Sequence, residues 1–476
     1  MQILPRVGLA LALAVPLGAL AGPSSSDVDA LRREIRSMRA DYEARLQALE
    51  QRVKAAEAAA AQATAASAAS PAEAATAAPA AAPPPAAETA APAAVAAAGG
   101  GGGASAFNPA LSLILSGLYT RTSQDPAKYA ITGFPLPPDA QIGPGTRGFS
   151  LSESELGFSA SIDPWLRGSA NIALEPDNSV SVEEAFIQTT SLGNGLSLKA
   201  GRFFSGIGYL NPQHSHTWDF VDNPLAYQAM LGTQYGDDGM QLTWIAPMDQ
   251  YLELGAEIGR GRTFPGSDSS SNGAGMTALT LHTGGDIGDS NNWRAGISVL
   301  NAKANNQALV STTALGAPVN DIFNGDTRVW VLDGVWKWAP DGNATRTNFK
   351  LQGEYLRSNR NGTLLRDVGN TDAFGEYHVA QSGWYLQGVY QFMPRWRLGL
   401  RTERLDPGTP TFGFGDTGLF TSYRPRKNSI MMDFNPSEFS RIRLQFAQDR
   451  AREGFIDNQI FLQYQMSLGA HGAHSY

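Results

Sequence analysis

The sequence predicts an all-β protein, a transmembrane antiparallel β-barrel of about sixteen strands, preceded by a short N-terminal coiled-coil helix. Three observations carry this. From Phe107 onward apolar residues recur at every second position, the period of a strand with one apolar face. The connections between these segments alternate between long and short, the layout of a barrel that crosses a bilayer. Tryptophan and phenylalanine gather beside the short connections, where an amphipathic ring suits a membrane–water interface.

The elements follow in chain order. Arg6, the apolar run Val7–Leu20 and Ala19-Leu20-Ala21 have the charged start, short apolar core and small-residue cleavage site of a secretory signal peptide over 1–21. No other apolar run reaches the ~18 residues of a spanning helix. In 22–58, Val28, Leu31, Ile35, Met38 and Tyr42 follow a heptad seam. Leu46, Leu49, Val53 and Ala56 continue it after a stutter. So thin a stripe is marginal for one helix alone, so the segment is read as an oligomeric periplasmic coiled coil, with a solvated single helix as the alternative. Residues 59–106 are Ala/Pro-rich, end in Gly99 to Gly103, and read as a spacer. Residues 107–476 form the barrel.

Alternating segments begin near 110, 149, 165, 180, 196, 236, 250, 274, 293, 326, 345, 378, 395, 425, 439 and 456. Those at 149 and 180 are the weakest. "WRAGISVL" sets Trp293, Ala295, Ile297 and Val299 on one face, and "SRIRLQFAQ" sets Ile442, Leu444 and Phe446. The long connections are 122–148, 205–235, 261–273, 303–325, 360–377 and 407–424. Trp165, Trp244, Trp293, Trp338, Phe392, Trp396, Phe434 and Phe439 lie beside short ones. The last segment keeps Ile460, Leu462, Tyr464, Met466 and Leu468 in register towards Tyr476, as a strand that must close the barrel requires, because an open edge in lipid leaves backbone groups unpaired.

If apolar residues face lipid, the alternate set faces a lumen, and sixteen strands enclose an aqueous one. The inward set then includes Arg395, Arg397, Arg401 and Glu403, then Lys427, then Arg441, Arg443 and Gln445, opposite the acidic Glu153, Glu155, Glu253 and Glu257. A basic wall facing acidic walls would set a transverse field across a pore. The absence of cysteine excludes disulfides and thiolate metal sites. The formal charge of −8 speaks against a nucleic-acid partner. No G-x-S-x-G, H-E-x-x-H or phosphate-binding Gly-rich loop with Lys-Ser/Thr occurs, so no enzyme is expected.

The stretches "LKAGRFFSGIGYLNP" and "SELGFSASIDPWLRGSANIALE" resemble the phosphate-selective O/P-type porins of Gram-negative outer membranes. The resemblance implies an outer-membrane homotrimer in contact with lipid, each protomer a water-filled channel. It implies that loop 205–235 folds inward, with Asp219 and Asp222 as its constriction residues facing the arginines. The barrel region departs from a phosphate-selective pore in charge. Removing the 8 basic and 9 acidic residues of the first 106 from totals of 36 and 44 leaves 28 basic and 35 acidic. Passive passage of small polar solutes or ions is therefore expected.

His214 and His216, at i and i+2 on an extended segment, face one side and could chelate a zinc ion with Asp219 as third ligand. "NPQHSHTWDFVDNPL" and "MSLGAHGAH" resemble chains described as zinc-regulated outer-membrane receptors, which implies divalent-metal uptake as the second reading. A third makes the barrel an anchor for the coiled coil. A 22-stranded barrel with a plug does not fit in this length. His471 and His474, at i and i+3, point to opposite faces of a strand, and His282 faces inward.

Overall fold

The computed structural model describes residues 109–268, 272–312, 317–415 and 418–469, together with the isolated helical Gln51. The described residues from Pro109 onward form one compact unit. The expected signal peptide, the coiled coil apart from Gln51, the whole spacer, and also His471 and His474, lie outside the described residues.

The compact unit is a closed antiparallel barrel of sixteen strands. They are β1 Ala110–Thr122, β2 in two pieces (Gly148–Leu151 and Ser154–Ser161), β3 Leu166–Leu174, β4 Val180–Thr189, β5 Leu196–Phe204 and β6 Gly236–Ile245. There follow β7 Tyr251–Gly259, β8 Met276–Ile287, β9 Asn291–Thr312, β10 Pro318–Trp338 and β11 Asn348–Arg366. The last five are β12 Ala373–Met393, β13 Trp396–Asp406, β14 Arg426–Ser437, β15 Ser440–Arg450 and β16 Asp457–Gly469. Each pairs with its neighbour in sequence. β1 pairs with β16 from Ser112↔Gly469 to Thr122↔Gln459, which leaves no open edge.

The alternation separates an apolar outer face from a polar interior. Leu398, Leu400, Ile430, Met432, Ile442 and Leu462 are exposed on the outside, whereas their neighbours Met431, Arg443 and Gln463 are buried within. Aromatic residues bound this apolar belt at both ends. On the tight-turn side Trp336 packs against Phe349 and Trp396 against Phe434, with centroids 5.8 and 4.7 Å apart. On the other side Tyr355 pairs with Trp384, beside Trp330, and the outward Arg328 and Arg357 come next. From Trp330 to Trp338 is eight residues, about 27 Å along the strand. A tilt of ~40° shortens this to about 21 Å, close to the ~25 Å apolar band of outer-membrane barrels.

Two of the expected long connections are corrected. Most of 303–325 and 360–377 is strand, and β9–β10 and β11–β12 run on as tall hairpins. Beyond the belt the outward residues meet water, so they are polar (Asn301 with Arg328, Asn361 with His378) and the apolar alternation that marks a strand disappears there. Both weakly patterned strands carry irregularities. Between Gly117↔Leu151 and Ile114↔Glu155, β2 takes four steps against three on β1. Between Asn171↔Glu184 and Ile172↔Val182, β4 takes two steps against one on β3. An extra residue of this kind is a β-bulge, and it reverses the face to which later residues point.

Candidate functional site

Residues 205–235 fold into the barrel. The neck is closed by Asn211, whose Nδ2 donates to the carbonyls of Ser205 (2.8 Å) and Tyr235 (2.9 Å) while its Oδ1 accepts from Tyr235 N–H. Inside, Leu225–Leu231 forms a short helix, α1, buried along its whole length. Leu225, Tyr227, Met230 and Leu231 pack with Ile131 and Phe134 of the first long loop, so the long-loop end of the interior is an apolar core. Gly232, at φ 68°, ends the helix in the left-handed conformation that favours glycine.

Polar anchors fix this loop to the wall formed by β11 to β15. Asp219 is paired with Lys350 and, at 3.2 Å, with Arg397. Asp222 is paired with Arg401 at 2.8 Å and Lys427 at 2.6 Å. Arg441 donates to the carbonyl of His216 at 2.7 Å. Glu403 accepts from the N–H of Leu225, the first residue of α1, at 2.6 Å. Glu354, fully enclosed, accepts from the N–H of Tyr209 and Leu210 and from the hydroxyls of Tyr227 and Tyr385. Gly208, at φ 67°, lies against this carboxylate, and a side chain there would collide with it. Burial alone would raise the Asp219 carboxyl, but the Lys350 and Arg397 cations overcome it and hold the group down at about 2. Burial likewise opposes ionisation of Asp222, and Lys427 and Arg401 hold it well below the usual carboxylate range.

This changes the expected electrostatics. Asp219 and Asp222 do meet the basic wall, but in direct contact, with no gap between them. Arg401, Lys427, Arg441 and Arg443 face inward yet are buried, with Lys427 0% exposed, so they line no water here. Arg443 pairs with Asp433 at 2.7 Å, and Arg397 also pairs with Asp433. Arg395 is not inward-facing: it occupies the tight turn before β13 at φ 73°, after the register of β12 and β13 shifts between Gln391 and Met393. Of the acidic residues, Glu257 is buried and accepts from Ser205 Oγ at 2.6 Å and Gly206 N–H at 2.8 Å. Glu253 faces inward, half-buried, with His282 at 3.3 Å.

A second group of inward charges lies across the barrel from α1. Arg167, Lys199 and Arg294 share the lumen face with Glu253, and all four keep contact with solvent. Lys199 Nζ lies 4.6 Å from the centre of the Phe186 ring. Alternation placed these residues inward, but a reading that weighted arginine clusters on single strands passed over single cations on separate strands. Glu354 was likewise missed, because its role depends on which loop reaches it.

The histidine pair is brought together, with a different third partner. After a turn at Ser215–Thr217 the chain carries Asp219 to the basic wall, and Glu155 takes its place. Glu155 Oε2 lies 3.1 Å from His214 Nδ1 and 3.2 Å from His216 Nδ1. His214 also meets Glu183 at 3.2 Å and Glu184 at 3.0 Å, and Glu153 accepts from Ser215 Oγ at 2.6 Å. Burial pulls the His214 imidazole down, and the facing carboxylates, Glu155 foremost, overcome it and hold its pKa well above the ordinary histidine value.

No family model matches this chain. An uncharacterized protein of Aquifex aeolicus is 31% identical over 348 residues, which cover 69% of this chain and 70% of the relative. The chain belongs to the same family as that protein. Among solved structures it is similar to the loop L8 deletion mutant of OmpT from Vibrio cholerae (TM-score 0.46, 11% identity, 76% of this chain and 99% of the other). It is also similar to an anion-selective porin from Comamonas acidovorans (TM-score 0.45, 11% identity, 76% and 99%). The outer membrane channel DcaP of Acinetobacter baumannii gives a TM-score of 0.43 at 12% identity, covering 76% and 97%. Those values are too low to transfer a function.

Proposed function

We propose that the chain is an outer-membrane porin, a passive channel for small polar solutes or ions. One observation carries this. The barrel is closed and apolar outside, while Arg167, Lys199, Glu253 and Arg294 face its interior and still touch solvent. Charged side chains inside a lipid-facing barrel need water there, because an unpaired charge in a dry interior is costly. The loop 205–235 is anchored mainly on β11 to β15, and the solvent-touching charges on β3, β5, β7 and β9 mark the pathway it leaves. Selectivity in this reading comes from that mixed set, joined by the inward Lys337 of β10, and not from the buried arginines.

The finer expectations belong to the same proposal: O/P-type porin character, a homotrimer, and residues 22–58 as a periplasmic coiled coil, with the tight turns on the periplasmic side. Single-channel recording of the full chain in a planar bilayer tests it. Stable steps in groups of three, with permeability ratios moved towards cations by Arg294→Ala together with Lys199→Ala, are the expected result. A protein that inserts and does not conduct would favour the anchor reading. Deleting 27–58 is expected to weaken the trimer on native gels, and an unchanged trimer would assign assembly to the barrel alone.

A further inference from the structure

The channel reading leaves the cluster around His214 without a role. Glu155, His214 and His216 offer three donor atoms within 4.8 Å of one another, and so do Glu153, Glu155 and Glu183. Four separate elements supply them: Glu155 from β2, Glu153 from its interruption, Glu183 and Glu184 from β4, and the histidines from the infolded loop. Two β-bulges fall at this place. The one in β4 breaks the alternation so that the consecutive Glu183 and Glu184 both reach His214, which a regular strand forbids.

One ring N–H does not account for the geometry. His214 Nδ1 has carboxylate oxygens of both Glu155 (3.1 Å) and Glu183 (3.2 Å) before it, and one ring N–H points along one line. Glu155 is 4% exposed, and its Oε2 lies between the two imidazoles, 3.1 Å from Nδ1 of His214 and 3.2 Å from Nδ1 of His216. Donors on a tetrahedral ion with ligand distances of ~2.0–2.1 Å are ~3.3 Å apart, and the separations of 3.1 and 3.2 Å from Glu155 Oε2 to the two imidazoles match that edge. The other nitrogen of His214, Nε2, meets Glu184 at 3.0 Å. That is the outer carboxylate which orients a metal-binding imidazole and fixes its tautomer. Charge points the same way: four carboxylates surround two imidazoles, with Lys199 as a further cation nearby.

We propose that His214, His216 and Glu155 bind a divalent transition-metal ion, with Glu184 positioning His214 and a water completing the tetrahedron. Two imidazole nitrogens and one carboxylate oxygen suit zinc and its neighbours better than calcium or magnesium. The ion joins the infolded loop to β2 and β4, while Arg441 of the basic wall holds the His216 carbonyl from the other side.

The test is metal binding to the full chain in detergent after treatment with a chelator, read by calorimetry with Zn²⁺ and by the visible absorption of Co²⁺. The expected result is one ion per chain, with intense tetrahedral Co²⁺ bands. Glu155→Gln should weaken binding by at least ~10-fold, and His214→Ala with His216→Ala should abolish it. His471→Ala with His474→Ala should leave it unchanged. Equal affinity in the wild type and the His214/His216 variant, or no binding by the wild type, would overturn the proposal. If those variants do not fold, as judged by heat-modifiable gel mobility, the wild-type Co²⁺ spectrum still decides: weak octahedral bands overturn the site. Binding is measured without current, so its failure is distinct from failure of the channel reading.

Discussion

Glu354 shows how one carboxylate can set the position of a long loop. It accepts hydrogen bonds from two successive backbone N–H groups of the neck and from two tyrosine hydroxyls, one on α1 and one on β12. Removing it strands these neutral donors in a buried site, so Glu354→Ala should destabilise the loop, at about 1–3 kcal/mol for each donor left unsatisfied. Noisier and larger single-channel currents are the expected readout, and currents equal to wild type would mean the loop is held elsewhere. Asp219 gives a pH prediction. Its folded pKa of about 2 lies below the ~3.9 of an unfolded aspartate. Such a group stabilises docking fully above its unfolded value and loses that contribution as pH falls through its folded value. Conductance should hold steady down to about pH 4 and become unstable between about pH 4 and pH 2. An Asp219→Asn channel should respond less over that window, with the remaining response coming from Asp222.

Among the elements, α1 is the one with no counterpart in the β pattern. It spans only seven residues, too few to be stable alone, and it exists because every one of them is buried against the wall. Replacing Leu225–Leu231 with a short Gly/Ser linker should widen the lumen and raise conductance several-fold, with unchanged heat-modifiable mobility. No change in conductance would place the narrowest point elsewhere. The tall hairpins also belong to this scale. They were legible as chain length between the apolar segments, but their pairing was hidden, since strand residues above the belt alternate between lumen and water and need not be apolar.

At the scale of the whole molecule the barrel is an inverted solvent problem, with its apolar side chains outside. Ile430 is 43% exposed and sits within the belt, while Met431 beside it is 1% exposed and points inward. An arginine at Ile430 should lower the unfolding free energy by about 2–4 kcal/mol if that residue faces the bilayer midplane. Urea unfolding in lipid vesicles measures this, and a neutral effect would place Ile430 against protein or water. The Asp219 and Asp222 pairings carry a global consequence too. They neutralise Lys350, Arg397, Arg401 and Lys427, so in the channel reading the charge a solute would meet is set by residues such as Arg167, Lys199, Glu253, Arg294 and Lys337.

The sequence by itself determined the number and order of the strands and, within the apolar belt, which residues face in or out, because each of these follows from a two-residue period read locally. Arg395 and the upper parts of the tall hairpins fall outside that belt. Even the weakness at 149 and 180 was informative, since both strands carry bulges. Only the tertiary structure decided which inward charges meet water and which meet the loop. Arg401 and Arg294 have the same parity and the same charge; one is covered by Asp222 and the other is not. The exchange of Asp219 for Glu155 beside the histidines has the same origin. A loop's path is fixed by contacts with distant strands, and no local spacing in the chain records where those contacts fall.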